Sequence, residues 1–172
     1  MSTHRAYRAG HGLTGWARQV LDHPLDAILG TVNADGSPHV VPVGYAFDGR
    51  RFVIPTGSAT RKVHNVESDP RARVLVPAPV ATTGLDDGWV AADGQAHLVQ
   101  GNEAAELNAA AVSRYLTDEG KRGYAEIIQP LMDVTIVVVP ERWQTWDVTG
   151  MVDTAAEHGF TPDDLARWYV PR

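Results

Sequence analysis

Short apolar runs separated by tight turns dominate the middle of the chain. Ala27-Ile28-Leu29-Gly30-Thr31-Val32 is the right length for a strand. The next five residues, Asn33-Ala34-Asp35-Gly36-Ser37, carry Asp-Gly at their centre, a strong hairpin signal. Residues 39–47 predict a second strand, with Pro42 tolerated at an edge or a bulge. Asp48-Gly49 turns the chain again, and residues 51–56 predict a third strand. Three strands joined by two tight turns make an antiparallel meander. Residues 58–67 then predict a short helix capped by Ser58 and stopped by Asp69-Pro70. Residues 71–76 alternate, placing Arg71 and Arg73 on one face and Ala72 and Val74 on the other. Residues 77–88 predict a long turn-rich loop, and residues 89–100 a fifth strand with Gly94 as a candidate bulge.

Helical periodicity flanks this block. The spacing over residues 13–29 fits a helix broken near His23-Pro24. Residues 103–116, rich in alanine, predict the clearest helix, with Glu103 and Glu106 at a solvated start. A second helical piece is expected over residues 121–131. Residues 133–140 contain the buried-strand run TIVVV, and residues 142–148 continue the sheet after a break. Trp143 and Trp146 on that strand point to opposite faces, one toward the core and one toward a substrate pocket. Thr161-Pro162-Asp163-Asp164 is a helix start, with Trp168 and Tyr169 offering an apolar face beyond it. The expected organisation is a loose arm over residues 1–12, a β domain over 13–148 and a helical tail over 149–172. The expected fold is mainly β: a six- to seven-stranded antiparallel barrel with flanking helices.

Composition narrows the functions. A length of 172 residues suits one domain with short appendages. The formal net charge of −6 argues against a general nucleic-acid binder. No run of about 18 apolar residues predicts a membrane span. There is no cysteine, which excludes disulfides, thiolate nucleophiles and iron–sulfur clusters. With no apolar leader before residue 13, a cytoplasmic location is expected. The charge is unevenly placed. Six of the 15 basic residues (Arg50, Arg51, Arg61, Lys62, Arg71, Arg73) fall between positions 50 and 73, offset only by Glu67 and Asp69.

That local excess sits around Thr56-Gly57-Ser58-Ala59-Thr60-Arg61-Lys62. A helix N-terminus with hydroxyls, a glycine and two cations is suited to a phosphate. Ser58 and Thr60 offer hydroxyls, Gly57 allows close backbone approach, Arg61 offers a fork and Lys62 a point charge. The other reading is a capped, solvated helix. The segment is no Walker loop, since GxxxxGK[ST] is absent. No HExxH or close histidine pair points to a metal, and His39 and His64 read as surface residues. No GxSxG elbow supports hydrolysis. Tyr45 and Tyr124 are candidates for a proton donor or substrate contact, against the alternative of core aromatics.

The ordered text LGTVNADGSPHVVPVGYAFDGRRFVIPTGSATRKVHNVESDPRARVLV, followed by WVAADGQAHLV, resembles the flavin-binding split β-barrel superfamily. That group includes the pyridoxamine 5′-phosphate oxidases and related flavin/deazaflavin oxidoreductases. The resemblance covers residues 25–100, and more weakly on to Asp147. It implies a homodimeric split barrel binding FMN or the deazaflavin coenzyme F-420. It further implies that Arg61 and Lys62 contact the cofactor phosphate, with Ser58 and Thr60 in the cradle. Pro55 and Thr56 would lie along the ring and ribityl chain, and Val41, Pro42 and Val43 beside the isoalloxazine. Asn65 matches a residue that commonly follows the lysine, and Trp89 a position near the partner subunit. The Arg-x-x-Leu-Leu-Lys strand of true pyridoxamine phosphate oxidases is replaced by VPVGYAFDG. Their Arg-x-His clamp is replaced by Arg142-Trp143-Gln144. Both departures argue against vitamin B6 oxidation. The turn, K-x-x-N and DPR text is closer to the F-420 branch, whose polyanionic tail suits the local positive charge. The implied activity is hydride transfer between the cofactor and a small organic substrate. A non-catalytic flavin- or haem-binding protein of the same fold is the alternative.

Overall fold

A computed structural model describes residues 7–85 and 87–168. Within them lie eight strands and seven α-helices. In chain order these are β1 (Tyr7–Gly10), α1 (Gly15–Asp22), β2 (Ala27–Val32), β3 (Pro38–Val43), β4 (Ala46–Phe47), β5 (Phe52–Thr56) and α2 (Arg61–Ser68). There follow β6 (Arg71–Ala78), α3 (Val80–Thr83), β7 (Gly88–Gln100), α4 (Gly101–Ser113), α5 (Asp118–Gly123), β8 (Val134–Asp147), α6 (Val148–Glu157) and α7 (Pro162–Ala166). The sheet is wholly antiparallel in the order β3-β2-β6-β7-β8-β5-β4, with β1 paired to the far half of β8.

The two ends of that order are neighbours in sequence. β3 finishes at Val43 and β4 begins at Ala46, so only Gly44 and Tyr45 separate the sheet's opposite edges. An open sheet whose edges are tied by two residues has to curl until they nearly meet. This is the split barrel, and it is why the single strand expected over 39–47 is two strands. The alternation drives one face inward. Leu29, Val43, Phe52, Ile54, Val74, Val76, Val90, Ile136, Val138 and Trp143 form the barrel interior with Ala17, Val20 and Leu21 of α1 and Val63 and Val66 of α2. Phe47, Phe52 and Trp143 interlock there, with ring centroids 4.9–5.9 Å apart. α4 covers the outside of β5 and the first half of β8. There Val53, Val137, Ala104 and Ala111 are buried apart from the main interior.

α4 also closes the split. Arg114, its C-cap, donates to Leu21 O at 2.9 Å, to His23 O, and to Tyr45 O at 3.4 Å. Its guanidinium stacks 5.0 Å above the Tyr45 ring. Tyr115 Oη accepts from Tyr45 N–H at 3.0 Å and sits 2.9 Å from Leu25 O and 2.8 Å from Tyr45 O. One helix end thus satisfies the carbonyls where α1 ends and the sheet edges meet.

Several sequence expectations shift. The helix over 13–29 is confined to α1, because His23 precedes Pro24. The break expected near residue 141 is no break in β8. It is a register shift opposite Gly94, where Asp93 pairs with Arg142 and Gly94 with Pro140, leaving Glu141 unpaired. A Cβ on Gly94 would lie 2.0 Å from Val139 O, which explains the glycine. The helix expected over 121–131 is α5, a π-helical turn (Tyr124–Ile128) and a 3-10 turn (Gln129–Leu131), since Pro130 removes a helix donor. The N-terminal segment supplies β1, anchored by Arg8 on Asp147 at 3.0 Å. Thr161 caps α7 in a capping box with Asp164, as the sequence predicts. Trp168 meets Phe160 edge to face with centroids 5.1 Å apart, whereas Tyr169 lies outside the described residues. No helix among the described residues is long and apolar enough to cross a membrane.

Arg114→Ala removes a charged donor from carbonyls on two elements. It is expected to lower stability by about 2–4 kcal/mol, read as a fall in the urea midpoint without a change in slope.

Candidate functional site

β5 delivers Thr56 to the start of α2. Thr56 is 4% exposed and its Oγ1 lies 3.3 Å from Thr60 Oγ1. Thr60, not Ser58, is the N-cap of α2, and its hydroxyl donates to Gly57 O at 2.8 Å. Ser58 is drawn instead to Asp133. Its N–H and its hydroxyl each donate to that carboxylate at 2.7 Å. The register explains the meeting: Thr56 pairs with Val134, so residue 133 lies beside the Gly57-Ser58 turn. The backbones are close there, and a Cβ on Gly57 would stand 2.9 Å from Leu131 O. The two Ser58 bonds hold the Asp133 carboxyl below its ordinary range.

Arg61 and Lys62 open α2. Arg61 is exposed and Lys62 half-buried, and among the described residues neither has a carboxylate at ion-pair distance. Burial lowers the Lys62 ammonium below an ordinary lysine. Arg61 faces the β2–β3 turn closely enough that its charge helps lower Asp35, after the larger effect of hydrogen bonds from Ser37. The backbone bonds of α2 begin with Val63 and His64 donating to Thr60 O, so the leading amides of the helix remain available. Cations and helix amides therefore fit a phosphate, while the Ser58 and Thr60 hydroxyls are satisfied within the chain.

Asn65 sits on the inner side of the same helix, 6% exposed. Its amide donates to Thr31 Oγ1 and to Asn33 Oδ1, both at 3.0 Å. It locks α2 to β2 and to the β2–β3 turn, and so sets where Arg61 and Lys62 stand. Asp69 ends the helix by accepting from Arg71 N–H at 3.0 Å and pairing with its guanidinium at 2.5 Å. That contact, led by the Arg71 side-chain hydrogen bond, brings the Asp69 carboxyl down to about 2.

The other sequence candidates are scattered. On β3, Val41 and Val43 turn toward the interior and Pro42 outward. Pro55 is half-buried on β5, paired with Thr135. Trp89 lies on the outer sheet face, paired with Trp146, with Tyr7 beside it at 6.2 Å between centroids. Trp143 is in the core and Trp146 on the opposite face, in keeping with their spacing. Tyr45 is fully buried, its hydroxyl without a hydrogen-bond partner among the described residues, and burial raises it far above an ordinary tyrosine. Tyr124 is 8% exposed and its hydroxyl donates to Met132 Sδ at 3.5 Å.

Two features escape the sequence reading. One is Asp133, read only as the first residue of a strand. The other is a groove of about 530 Å³ on the outer face, lined by Val32, Pro38, Val40, Arg71, Arg73 and Glu141 among others. At its side Arg73 bonds Asp93 and Gln144, each at 2.7 Å, and Gln144 bonds Asp93 at 3.0 Å. The alternation over 71–76 signalled that Arg71 and Arg73 share a face, but not what they meet there.

Residues 13–147 match the family model described as pyridoxamine 5′-phosphate oxidase, and the chain belongs to that family. Its fold is shared with the conserved hypothetical protein Rv2991 of Mycobacterium tuberculosis. That match is 25% identical, covers 84% of this chain and 91% of the other, and has a TM-score of 0.64. An F420 reductase matches at 22% identity over 73% of this chain and 94% of its own, with a TM-score of 0.58. HutZ, a haem storage protein of Vibrio cholerae, matches at 17% identity over 78% and 94%, with a TM-score of 0.57.

Asn65→Ala leaves the buried Thr31 hydroxyl without its donor. A loss of about 1–3 kcal/mol is expected in denaturant unfolding. The Asp69 carboxyl should titrate near 2 by NMR and return toward the ordinary 3.8 in Arg71→Ala.

Proposed function

We propose that the protein is an oxidoreductase that uses FMN or coenzyme F-420 to transfer hydride to or from a small organic substrate. One observation carries this reading: two cations without carboxylate partners, one of them half-buried, open α2 in a chain of net charge −6. Burying an ammonium without a counter-ion is unfavourable. A phosphate at the leading amides of α2 would relieve that cost through helix dipole, fork and point charge together. Membership of the pyridoxamine 5′-phosphate oxidase family supports the same assignment. When bound, the cofactor supplies the redox chemistry.

The chain's own part is binding and orientation. Arg61 and Lys62 hold the phosphate, and Asn65 fixes the helix that carries them. Pro55, Thr56 and the β3 residues Val41, Pro42 and Val43 are assigned to the ring by resemblance. No proton transfer is assigned to Tyr45, which is sealed in the core, or to Tyr124, which faces Met132. The outer sheet face, with Val40 at 62% exposed and Trp89 beside Trp146, is the proposed homodimer surface, with the cofactor at that interface. Arg51, Arg71 and Arg73 are paired with Asp48, Asp69 and Asp93, so Arg61 and Lys62 are the charges offered to the polyanionic tail of F-420 or the phosphate of FMN. Cytoplasmic operation fits a chain without cysteine. A second reading, cofactor or haem storage on the same fold, is favoured by the lack of an acid–base side chain among those at the start of α2.

Side-by-side fluorescence titration with FMN and F-420 tests the reading. Binding of neither, or a haem spectrum in the purified protein, would refute it. Arg61→Ala and Lys62→Ala should each weaken binding by about 1.5–3 kcal/mol. The pH dependence has a definite sign. Burial lowers Lys62, so it loses its proton below the ordinary 10.5. Affinity should hold through neutral pH and fall on the alkaline side, and Lys62→Arg should remove that fall.

A further inference from the structure

We propose that Asp133 is an internal anion that competes with the cofactor phosphate for Ser58, and so sets which anions the α2 site accepts. This rests on the phosphate-site reading above. Ser58 lies three residues before Arg61, and its N–H and hydroxyl are donors of the kind a phosphate site adds to helix amides. Both are taken by one carboxylate, each at 2.7 Å. A carboxylate bound to a backbone N–H and a hydroxyl is chemically a stand-in for two phosphate oxygens.

The surroundings make the exchange local. Asn108, fully buried, donates to Met132 O at 2.9 Å and to Val134 O at 3.3 Å, fixing the backbone on both sides of Asp133. Thr135 Oγ1 in turn donates to Asn108 Oδ1 at 2.7 Å. Tyr124 holds the Met132 side chain. Asp133 itself is exposed, so its side chain can rotate away into water while its backbone stays. Among the described residues no ion pair ties Asp133 to Arg61 or Lys62, so Ser58 alone holds its carboxylate, and a negative charge arriving at Ser58 meets that carboxylate before it can take the two donors.

A specificity rule follows. A singly charged anion offers Ser58 no more than Asp133 already does, and gains little by displacing it. A phosphomonoester brings about −1.5 to −2 charges and three acceptor oxygens, enough to use Ser58 and both cations together. Asp133 thus discriminates for phosphomonoesters against singly charged anions, at the cost of some affinity for all anions.

The test compares wild type, Asp133→Ala and Asp133→Asn by titration with FMN, F-420, riboflavin and inorganic phosphate, after thermal melts establish that each variant is folded. The Ser58 amide is followed by NMR. Asp133→Ala should bind FMN and F-420 roughly tenfold more tightly, a shift of about 1.4 kcal/mol, with riboflavin unchanged. Inorganic phosphate should move the Ser58 amide at lower concentration than in wild type, and acetate should begin to compete. Asp133→Asn should fall between, since its carbonyl can keep the Ser58 N–H while its charge is gone. Equal or weaker FMN and F-420 binding in Asp133→Ala would overturn the inference alone, making Asp133 a brace for the site. So would an equal gain for riboflavin. Failure of every variant to bind any of the phosphate ligands would overturn the phosphate-site reading, and this inference with it.

Discussion

The structure depends on how its two sheet edges are held together. β3 and β4 lie at opposite ends of the strand order but only two residues apart in sequence. A sheet under that constraint must curl, and curling exposes carbonyls at the seam. Arg114 and Tyr115 satisfy them from a single helix end, reaching α1, the residues after it and Tyr45. The guanidinium sits between two aromatic rings, at 5.0 Å from Tyr45 and 5.6 Å from Tyr115. It is partly buried and paired with carbonyl dipoles and ring faces in place of a carboxylate. With the seam shut, the inward faces of β2, β5, β6, β7 and β8 share one interior, and the remaining helices pack around it.

The same closure positions the candidate site. Bringing β5 against β8 sets the Gly57-Ser58 turn beside Asp133, and the β2–β3 turn meets α2 through Asn65. The helix that carries Arg61 and Lys62 is therefore fixed from both sides, by the strand before it and by the buried amide beneath it. Precision of this kind matters for a phosphate, because fork and point charge act only at short range.

Electrostatically the site is left unbalanced. Across the described residues most cations have partners: Arg73 and Arg142 share Asp93, Arg8 meets Asp147, and Arg71 meets Asp69. At α2, Arg61 and Lys62 have no ion pair among the described residues; Arg61 acts on Asp35 only at a distance, and Asp133 bonds neutral donors on Ser58. An anion arriving at the start of α2 therefore meets no salt bridge that it must first break.

Most of the fold was legible because its periods are clean. The alternation in β2 and β6, the Asp-Gly turn and the Thr161 capping box each rest on chemistry within a few residues, and a glycine inside a strand marks the bulge at Gly94 even though its cause, Val139, is distant. So did the segment around Arg61 and Lys62, since glycine, hydroxyls and cations at a helix start are a local pattern. What sequence could not supply were contacts between residues far apart in the chain. Ser58 reads as a helix cap until Asp133, 75 residues away, claims it. Asn65 reads only as the residue that follows the lysine by three, and its amide partners Thr31 and Asn33 lie more than 30 residues away. Tyr45 reads as a candidate acid until α4 seals it in. Local spacing determined which elements form and where positive charge collects. Only the closing of the barrel decided which polar groups are left for a ligand, because a group already bonded across the fold reaches a ligand only by giving up that partner.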